Sequence, residues 1–376
     1  MMKKIIFSIM LVLCSQQALA TNYFEQYSKI KNNIEEKYSM SFGVDTRFTL
    51  QNIASNTIQN SLITPYLTKE IFNNKYGSAN LNFSMNFVRF SPLTPIELSI
   101  KEGNITLFNS YDDEYNELYE LYFIYTLPNK YNWINLGLGQ VPVSKFDSPI
   151  ASDLQRLYFL NSSLAQNTTF TYPTAGVGGY VELNLNKYLD VVLGSIDAAN
   201  PLAKGLRVDN LKQDQYSKFA LINYKPIYKN KYQGSYSLLF YDKPYVNKAP
   251  YSSQGWSLYV AQDITTKHSL FFRLNQTTSD YSAIKHSYAL GVLVDNPLKR
   301  HYKDQFGFGY SVNKLNNKSI ENRNNDKYEH IIESYYDYNL NNNVSIRPDV
   351  QLYLNKGSNI DNKMMGVFSI SIQLSL

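Results

Sequence analysis

Cysteine is almost absent from this sequence, and its scarcity excludes several kinds of chemistry. The single cysteine, Cys14, lies in an N-terminal segment with the features of a secretory signal: two early lysines, an apolar run from Ile5 to Leu13, and an Ala18-Leu19-Ala20 cleavage site. The bulky leucine directly before the cysteine argues against lipidation. The sequence therefore predicts a signal peptide over residues 1–20 and a mature chain without disulfides or thiol chemistry.

Long hydrophobic runs are also missing. No segment after the signal offers the 18 or more consecutive apolar residues that a transmembrane helix needs, and the mean hydropathy is −0.35. These values do not exclude an outer-membrane barrel, because its strands are short and half polar. The formal net charge of +5 is too weak to indicate nucleic acid as a partner.

Catalytic motifs are absent around all four histidines, which fall in predicted strand ends or loops: His268, His286, His301 and His330. None lies in a G-x-S-x-G or H-E-x-x-H setting. We therefore predict no enzyme, no cofactor and no metal site. An outer-membrane hydrolase using His330 with Ser334 is one alternative, and a lipid-cleavage assay on a His330 variant tests it.

Regular alternation is present, and it is clearest in the last stretch of the chain. From Val367 to Leu376, apolar residues alternate with serine and glutamine. A period of two places the two sets on opposite faces of a β-strand. An open apolar edge strand invites aggregation, whereas a closed membrane barrel turns that face to lipid and the polar face to the lumen.

The rest of the chain repeats this pattern about sixteen times, in segments of the length expected for tilted membrane strands. The first predicted strand covers 40–50. The others are predicted near 78–90, 95–102, 118–127, 132–140, 175–185, 188–197, 216–225, 231–242, 253–264, 267–278, 284–295, 304–314, 328–340, 343–355 and 363–376. Residues 21–38 read as a short periplasmic helix. The predicted fold is all-β, an antiparallel transmembrane barrel over 39–376.

The connections alternate between short and long in most places. Tight turns such as Asn186-Lys187 and Asn341-Asn342 alternate with longer gaps such as 141–174. Bacterial barrels show this pattern of short periplasmic turns and long outer loops. The 141–174 loop has two open interpretations: it folds inward and narrows the channel, or it is a surface loop.

Several segments, in order, resemble the carbohydrate-selective porins of bacteria. They are Ile134-Asn135-Leu136-Gly137-Leu138-Gly139-Gln140, Lys145-Phe146-Asp147-Ser148, Phe159-Leu160-Asn161-Ser162, Val192 to Pro201, Phe271-Phe272-Arg273, Asp304 to Gly309, and Ile346 to Tyr353 followed by Lys356-Gly357. The resemblance covers roughly Leu118 to Leu376. The first hundred residues of the mature chain lack the expected glycine-rich pattern, and the chain ends in leucine, not phenylalanine. The resemblance implies a passive sixteen-stranded barrel with a constriction of charged and aromatic side chains.

The alternation assigns certain side chains to the lumen. A charge facing lipid at mid-bilayer costs about 2–4 kcal/mol, so an inward register is strongly favoured for charged strand residues. The predicted pore-lining, substrate-binding residues are Arg47, Lys101, Tyr259, Arg273, Glu333, Arg347, Asp349 and Tyr353. Arginine offers a planar fork of donors, and tyrosine, with 33 copies against 2 tryptophans, offers a flat apolar surface with a polar tip. The alternative role for each charge is pairing across neighbouring strands.

These observations predict an outer-membrane porin of a Gram-negative bacterium that passes small hydrophilic solutes, foremost carbohydrates, and ions down their gradients. Its partners are outer-membrane lipids and solutes such as sugars. The oligomeric state is open between a homotrimer and a monomer. Two alternatives remain: a general or anion-preferring porin, and a barrel acting as an adhesin or receptor.

Overall fold

The fold is built from antiparallel strands that follow one another around a ring. The computed structural model describes residues 17–53, 56–109, 111–147, 159–170, 174–199, 205–206, 208, 212, 215–246, 252–280, 282–302, 304–316, 328–355 and 364–376. Within these ranges the sixteen long strands are β1 Met40–Ile53, β2 Asn56–Asn74, β3 Gly77–Ser91, β4 Tyr115–Thr126, β5 Ile134–Pro142, β6 Ala175–Asn186, β7 Leu189–Asp197, β8 Tyr216–Tyr224, β9 Tyr232–Lys243, β10 Ser253–Asp263, β11 His268–Thr277, β12 Ile284–Asp295, β13 Gln305–Leu315, β14 Tyr328–Asn339, β15 Val344–Leu354 and β16 Met364–Ser375. A two-residue strand, Ile227–Tyr228, extends the hairpin between β8 and β9.

Three α-helices accompany the strands in the described part of the chain: α1 Gln17–Tyr38, α2 Pro95–Glu102 and α3 Ser162–Ala165. Two single 3₁₀ turns cover Asn129–Tyr131 and Val143–Lys145. None of these helices is both long and apolar enough to cross a bilayer.

The barrel is closed by the pairing of its first and last strands. β1 and β16 run antiparallel, with Arg47 opposite Gln373 and Gln51 opposite Ser369. At the end of this ladder the N–H of Val44 donates to the carbonyl of Leu376, and the N–H of Leu376 donates to the carbonyl of Val44, both at 3.1 Å. Closure leaves no free sheet edge, which is the condition for crossing hydrocarbon with strands.

The two faces of the sheet have inverted polarity. In β16, Phe368 is 50% exposed and Ile372 is 41% exposed, whereas Ser369 and Ser371 are fully buried. Bulky apolar side chains therefore point outward, and polar side chains point into the barrel. This is the pattern of a transmembrane barrel, and it confirms the predicted fold class.

Most predicted strands are observed, but two assignments in the first hundred residues are wrong. β2 lies in a segment interpreted as a loop, because both of its faces mix polar and apolar residues. The inward face carries Ile58, Asn60 and Thr64, and Pro65 stands mid-strand, which argues against a strand in a sequence. The strand predicted over 95–102 is instead helix α2. The number of long strands is still sixteen, because β2 adds one strand and α2 replaces one.

Helix α2 forms because its ends are capped. The Thr94 hydroxyl accepts from the N–H of Glu97, and the Glu97 carboxylate accepts from the N–H of Thr94 at 2.9 Å. Pro95 occupies the first turn, and Gly103 ends the helix in the left-handed conformation at φ 76°. This capping box with proline and glycine at opposite ends is a helix signal that outweighs the apolar alternation of the segment.

Helix α1 leads directly into the barrel. The carboxylate of Glu35 accepts from the N–H of Phe42 at 3.0 Å, and the ammonium group of Lys69 donates to the carbonyl of Tyr38 at 2.8 Å. The helix begins at Gln17, ahead of the predicted cleavage site. The division into a signal peptide over 1–20 and a helical segment over 21–38 stays a prediction, since residues 1–16 lie outside the described residues.

Candidate functional site: the barrel lumen

The inward face of the barrel carries an unusual set of large buried polar side chains. The largest fully buried side chains include Arg273, Arg347, Tyr259, Tyr335 and Tyr353. A charged side chain is seldom buried unless it is paired. Such a set therefore marks the interior as the chemical centre of the molecule.

Arg273 and Tyr259 form one part of this site. They lie directly opposite each other on β11 and β10, and the guanidinium carbon is 5.5 Å from the ring centroid. An arginine within about 6 Å of an aromatic face is held by a cation–π interaction. The pair places a planar donor group beside a flat aromatic surface.

Arg347 forms a second, more strongly charged part. Its guanidinium carbon lies 4.6 Å from the ring centroid of Tyr335, and a terminal nitrogen lies 3.2 Å from a carboxylate oxygen of Asp337. Asp349, two residues along β15, is also buried and faces the same side. Arg347 is therefore held between an aromatic ring and acidic groups of the barrel wall.

Glu333 holds an inward-folded part of the loop between β5 and β6. Its carboxylate accepts from the N–H of Leu160 at 2.6 Å and from the N–H of Asn161 at 2.9 Å. The side-chain amide of Asn161 in turn donates to Gln351 and to the hydroxyl of Tyr353. Leu160 and Asn161 thus lie inside the barrel against β14 and β15, while Phe170 of the same loop packs against Phe219 on β8 and Tyr241 on β9. The outer part, 148–158, is outside the described residues.

Glu329 plays the matching role for the loop between β3 and β4. Its carboxylate accepts from the N–H of Ile105 at 3.0 Å, and from the N–H and hydroxyl of Thr106 at 3.1 and 2.6 Å. The carbonyl of Phe108 accepts from the side-chain amides of Gln51 and Gln351 at 3.2 and 3.0 Å. A second loop is therefore docked in the lumen, which the sequence analysis did not predict.

The two loops also bind each other. The N–H of Leu107 donates to the Ser162 hydroxyl at 3.0 Å, and the N–H of Ser162 donates to the Leu107 carbonyl at 3.2 Å. Because both loops are anchored inside the barrel at β14 and β15 and are joined to each other, they narrow the lumen beside these strands.

Gly309 on β13 makes room for the inner loop. A Cβ atom there would lie 2.9 Å from a methyl carbon of Leu164 and 2.9 Å from a ring carbon of Phe159. Leu164 belongs to helix α3, and both side chains are buried. The lack of a side chain at this position lets α3 pack closely on the barrel wall.

Seven of the eight predicted lumen residues lie on the inward face of a strand. Glu333, Arg347, Asp349 and Tyr353 are brought together on β14 and β15, while Arg273 and Tyr259 face inward on β11 and β10, and Arg47 does so on β1. The exception is Lys101, which lies exposed on α2 and donates to Asn56 at 2.9 Å. The predicted strand register for Lys101 is wrong because its segment is helical.

Two further basic residues in the interior were missed by the sequence analysis. Lys145, on the 3₁₀ turn after β5, pairs with Glu182 at 2.7 Å and lies over the ring of Tyr180 at 4.8 Å. Lys243, the last residue of β9, is buried. Lys243 could have been identified from sequence, because it shares the inward phase of Tyr241 on β9.

His330 and Ser334 have separate hydrogen-bond partners. A ring nitrogen of His330 lies 2.8 Å from the Tyr310 hydroxyl, and the Ser334 hydroxyl donates to the carbonyl of Gly307 at 3.2 Å.

Comparisons with known proteins agree with this architecture. The family described as "Carbohydrate-selective porin, OprB family" matches residues 213–375. Porin AaxA of Chlamydia pneumoniae is 29% identical over 301 residues, which cover 80% of this chain and 68% of that protein. Porin AaxA of Chlamydia trachomatis serovar D is 25% identical over 338 residues, covering 89% and 72% of the two chains.

This chain is similar to the carbohydrate-selective porin family over residues 213–375, and to proteins named porins over most of its length.

Solved structures support the porin fold. OprB of Pseudomonas putida at high pH superposes with a TM-score of 0.77 at 14% identity, covering 93% of this porin and 97% of that chain. The anion-selective porin from Comamonas acidovorans gives a TM-score of 0.55 at 12% identity, covering 90% and 99%. The family and the relatives are channels, and a porin barrel of this kind belongs to the outer membrane of a Gram-negative bacterium.

Proposed function

We propose that this porin passes small hydrophilic solutes, with carbohydrates as the preferred class, through a constriction built on one side of the lumen. The lining consists of Arg47, Tyr259, Arg273, Glu333, Arg347, Asp349 and Tyr353, together with the docked loop segments 104–109 and 159–170. Lys101 is left out of this lining because it lies on the exposed helix α2.

The observation that carries the proposal is the pairing of buried arginines with tyrosine rings. Arg273 faces Tyr259, and Arg347 faces Tyr335. An arginine fork donates hydrogen bonds to hydroxyl oxygens without being deprotonated, and a tyrosine ring supplies a flat apolar surface. Together they match the polar edge and the apolar face of a sugar ring.

Selectivity in this proposal comes from a fixed wall. Both loops are held by the carboxyl groups of Glu333 and Glu329, which accept backbone N–H groups in the buried interior. A constriction that is rigid on the time scale of permeation sorts solutes by size and by hydrogen-bonding groups. No conformational cycle or energy source is required.

The setting of the barrel belongs to the same proposal. We expect export through the signal peptide over 1–20, with α1 facing the periplasm and the apolar outer face in contact with outer-membrane lipids. The chain works as a monomer or as a homotrimer; chemical cross-linking of the detergent-extracted porin separates the two.

Liposome swelling tests the proposal. Purified porin in vesicles is diluted into isosmotic arabinose, glucose, maltose and raffinose, with charged solutes such as gluconate as comparison. We expect swelling rates that fall with sugar size and exceed those for anions of equal size. If none of the sugars causes swelling, the result contradicts a solute-conducting role and favours an adhesin or receptor.

An anion-preferring porin is the second candidate, favoured by the three buried inward arginines Arg47, Arg273 and Arg347. Its test is the reversal potential in a potassium chloride gradient. A strong chloride preference together with block by phosphate and not by maltose supports this second candidate over the first.

A further inference from the structure

Three neutral polar side chains form a row across neighbouring strands of the inward face. Asn275 on β11 lies opposite Ser287 on β12, and Ser287 lies opposite Asn313 on β13. All three are fully buried. Adjacent strands are about 4.8 Å apart, so the row extends over roughly 10 Å of the wall. We refer to Asn275, Ser287 and Asn313 as the amide–hydroxyl row.

The row has hydrogen-bonding capacity that the described residues do not use. Among these residues, the side-chain nitrogen of Asn275, the hydroxyl of Ser287, and both the nitrogen and the oxygen of Asn313 have no hydrogen-bond partner. The Asn275 oxygen accepts from the Ser257 hydroxyl at 2.7 Å. A buried polar group without a partner costs free energy, so four such atoms in one row need a structural or functional reason.

Inward residues next to the row, on β13 and β14, are hydrogen-bonded to the docked loops. Ser311, two residues before Asn313, contacts the Ser163 hydroxyl of the docked loop at 2.5 Å. Glu329, opposite Asn313 on β14, binds Ile105 and Thr106. The loops are thus bound at positions beside the row, while the row's own donors and acceptors are unpaired among the described residues.

The row lies next to the Arg273–Tyr259 pair. Asn275 and Arg273 are two residues apart on one face of β11, and β11 runs from the short turn at 264–267 toward the loop end of the barrel. The row is therefore one step closer to the loop end than the arginine.

We propose that the amide–hydroxyl row is a binding site for a neutral solute rich in hydroxyl or amide groups, placed at the loop end of the constriction. The row offers donors and acceptors but no charge, so it suits a solute that both donates and accepts, and it gives an ion no Coulombic advantage. This inference rests on the proposed function and adds the residues that recognise the solute.

The test compares three porins in planar bilayers: the parent, the row variant Asn275→Ala/Ser287→Ala/Asn313→Ala, and the control Ser217→Ala. Ser217 is equally buried but lies on β8, outside the row. Block of single-channel current is titrated with maltose and with N-acetylglucosamine, which carries an amide. Heat-modifiable migration on a gel and the reversal potential are measured for each porin.

The row variant is expected to lose affinity for the blocking sugars about tenfold or more, since several hydrogen bonds of ordinary strength are removed. The reversal potential of the row variant should match that of the parent because no charge changes. The sugars should block Ser217→Ala with the same constant as the parent. If the parent is blocked and the folded row variant is blocked with the same constant, the inference is wrong while the proposed function stands. If neither sugar blocks the parent, both the inference and the proposed function are wrong. If the triple variant does not fold, Asn313→Ala alone is tested in the same assay. We expect its affinity for the blocking sugars to fall by a few-fold. A blocking constant equal to that of the parent overturns the inference.

Discussion

The guanidinium carbon of Arg347 lies 4.6 Å from the ring centroid of Tyr335 on the neighbouring strand. The same group contacts the carboxylate of Asp337 at 3.2 Å. One arginine is thus fixed by an aromatic face and by an acid in the interior, and the lumen owes its shape to such contacts between neighbouring strands.

Breaking this contact should destabilise the barrel. Arg347→Ala leaves the partly exposed Asp337 without its cation, and removing one partner of a fully buried ion pair costs about 3–5 kcal/mol, which is the upper bound here. Unfolding in urea with the porin in vesicles measures the effect. The double variant Arg347→Ala/Asp337→Ala should recover part of the loss, as a double-mutant cycle requires for coupled residues. Equal stability of the single variant and the parent contradicts the assignment.

Releasing a loop anchor should widen the channel. Glu333→Ala removes the acceptor for Leu160 and Asn161, and each hydrogen bond to a charged group contributes about 1.5–3 kcal/mol. We expect a higher single-channel conductance and faster proteolytic cleavage between β5 and β6. Glu70→Ala is the control, because Glu70 is a half-buried carboxylate near the β2–β3 turn, away from both loops. Unchanged conductance with unchanged proteolysis shows that Glu333 does not hold the loop.

Adding a side chain at Gly309 should displace the same loop by steric means. Gly309→Leu places carbon atoms where Leu164 and Phe159 now lie, and overpacking of this kind costs about 1–3 kcal/mol. Gly366→Leu on β16 is a matched control, because a Cβ there meets nothing within 4 Å. The Gly309 variant should resemble Glu333→Ala in conductance and proteolysis. Identical behaviour of the two glycine variants speaks against loop packing at Gly309.

A charge on the outer face should oppose insertion. Val350 is 51% exposed at the middle of β15 and points outward. Val350→Arg should make folding into a bilayer less favourable by about 2–4 kcal/mol for a position near the midplane. Val350→Leu keeps the face apolar and should fold like the parent. Folding yields into phosphatidylcholine vesicles over a urea series give the comparison, and equal yields contradict the membrane register.

Replacing Arg273 separates charge from hydrogen-bond geometry. Arg273→Ala should shift the reversal potential toward cations and weaken sugar block, because both the charge and the donor fork are lost. Arg273→Lys keeps the charge and should restore only the ion preference, since lysine lacks the planar fork. If both variants retain the sugar block of the parent, Arg273 does not take part in the constriction.

The outer and inner faces were readable from sequence where they were chemically distinct. From Phe368 to Ser375 in β16, large apolar residues alternate with serine and glutamine, so a period of two fixes both strand and orientation. β2 was not readable, because Asn60 and Thr64 share the inward face with Ile58 and Leu62. The helix α2 was not predicted, because the residues of 95–102 fit a strand pattern; the Thr94–Glu97 capping box is the local signal that indicates a helix there.

The site was only partly predictable, for a different reason. Alternation places Glu333 in the lumen, but its partners, the N–H groups of Leu160 and Asn161, are 173 and 172 residues away in the chain. No local pattern reveals that a carboxylate anchors a distant loop. The same holds for Glu329 and Thr106, which are 223 residues apart.

The docked loops and the arginine–tyrosine wall are proposed to form a sugar-selective constriction. Single-channel conductance of the purified parent porin, titrated with maltose and separately with phosphate, measures this selectivity. We expect stable current steps that shrink as maltose is added and change little with phosphate. Current steps that shrink with phosphate and are unaffected by maltose overturn the sugar-selective constriction.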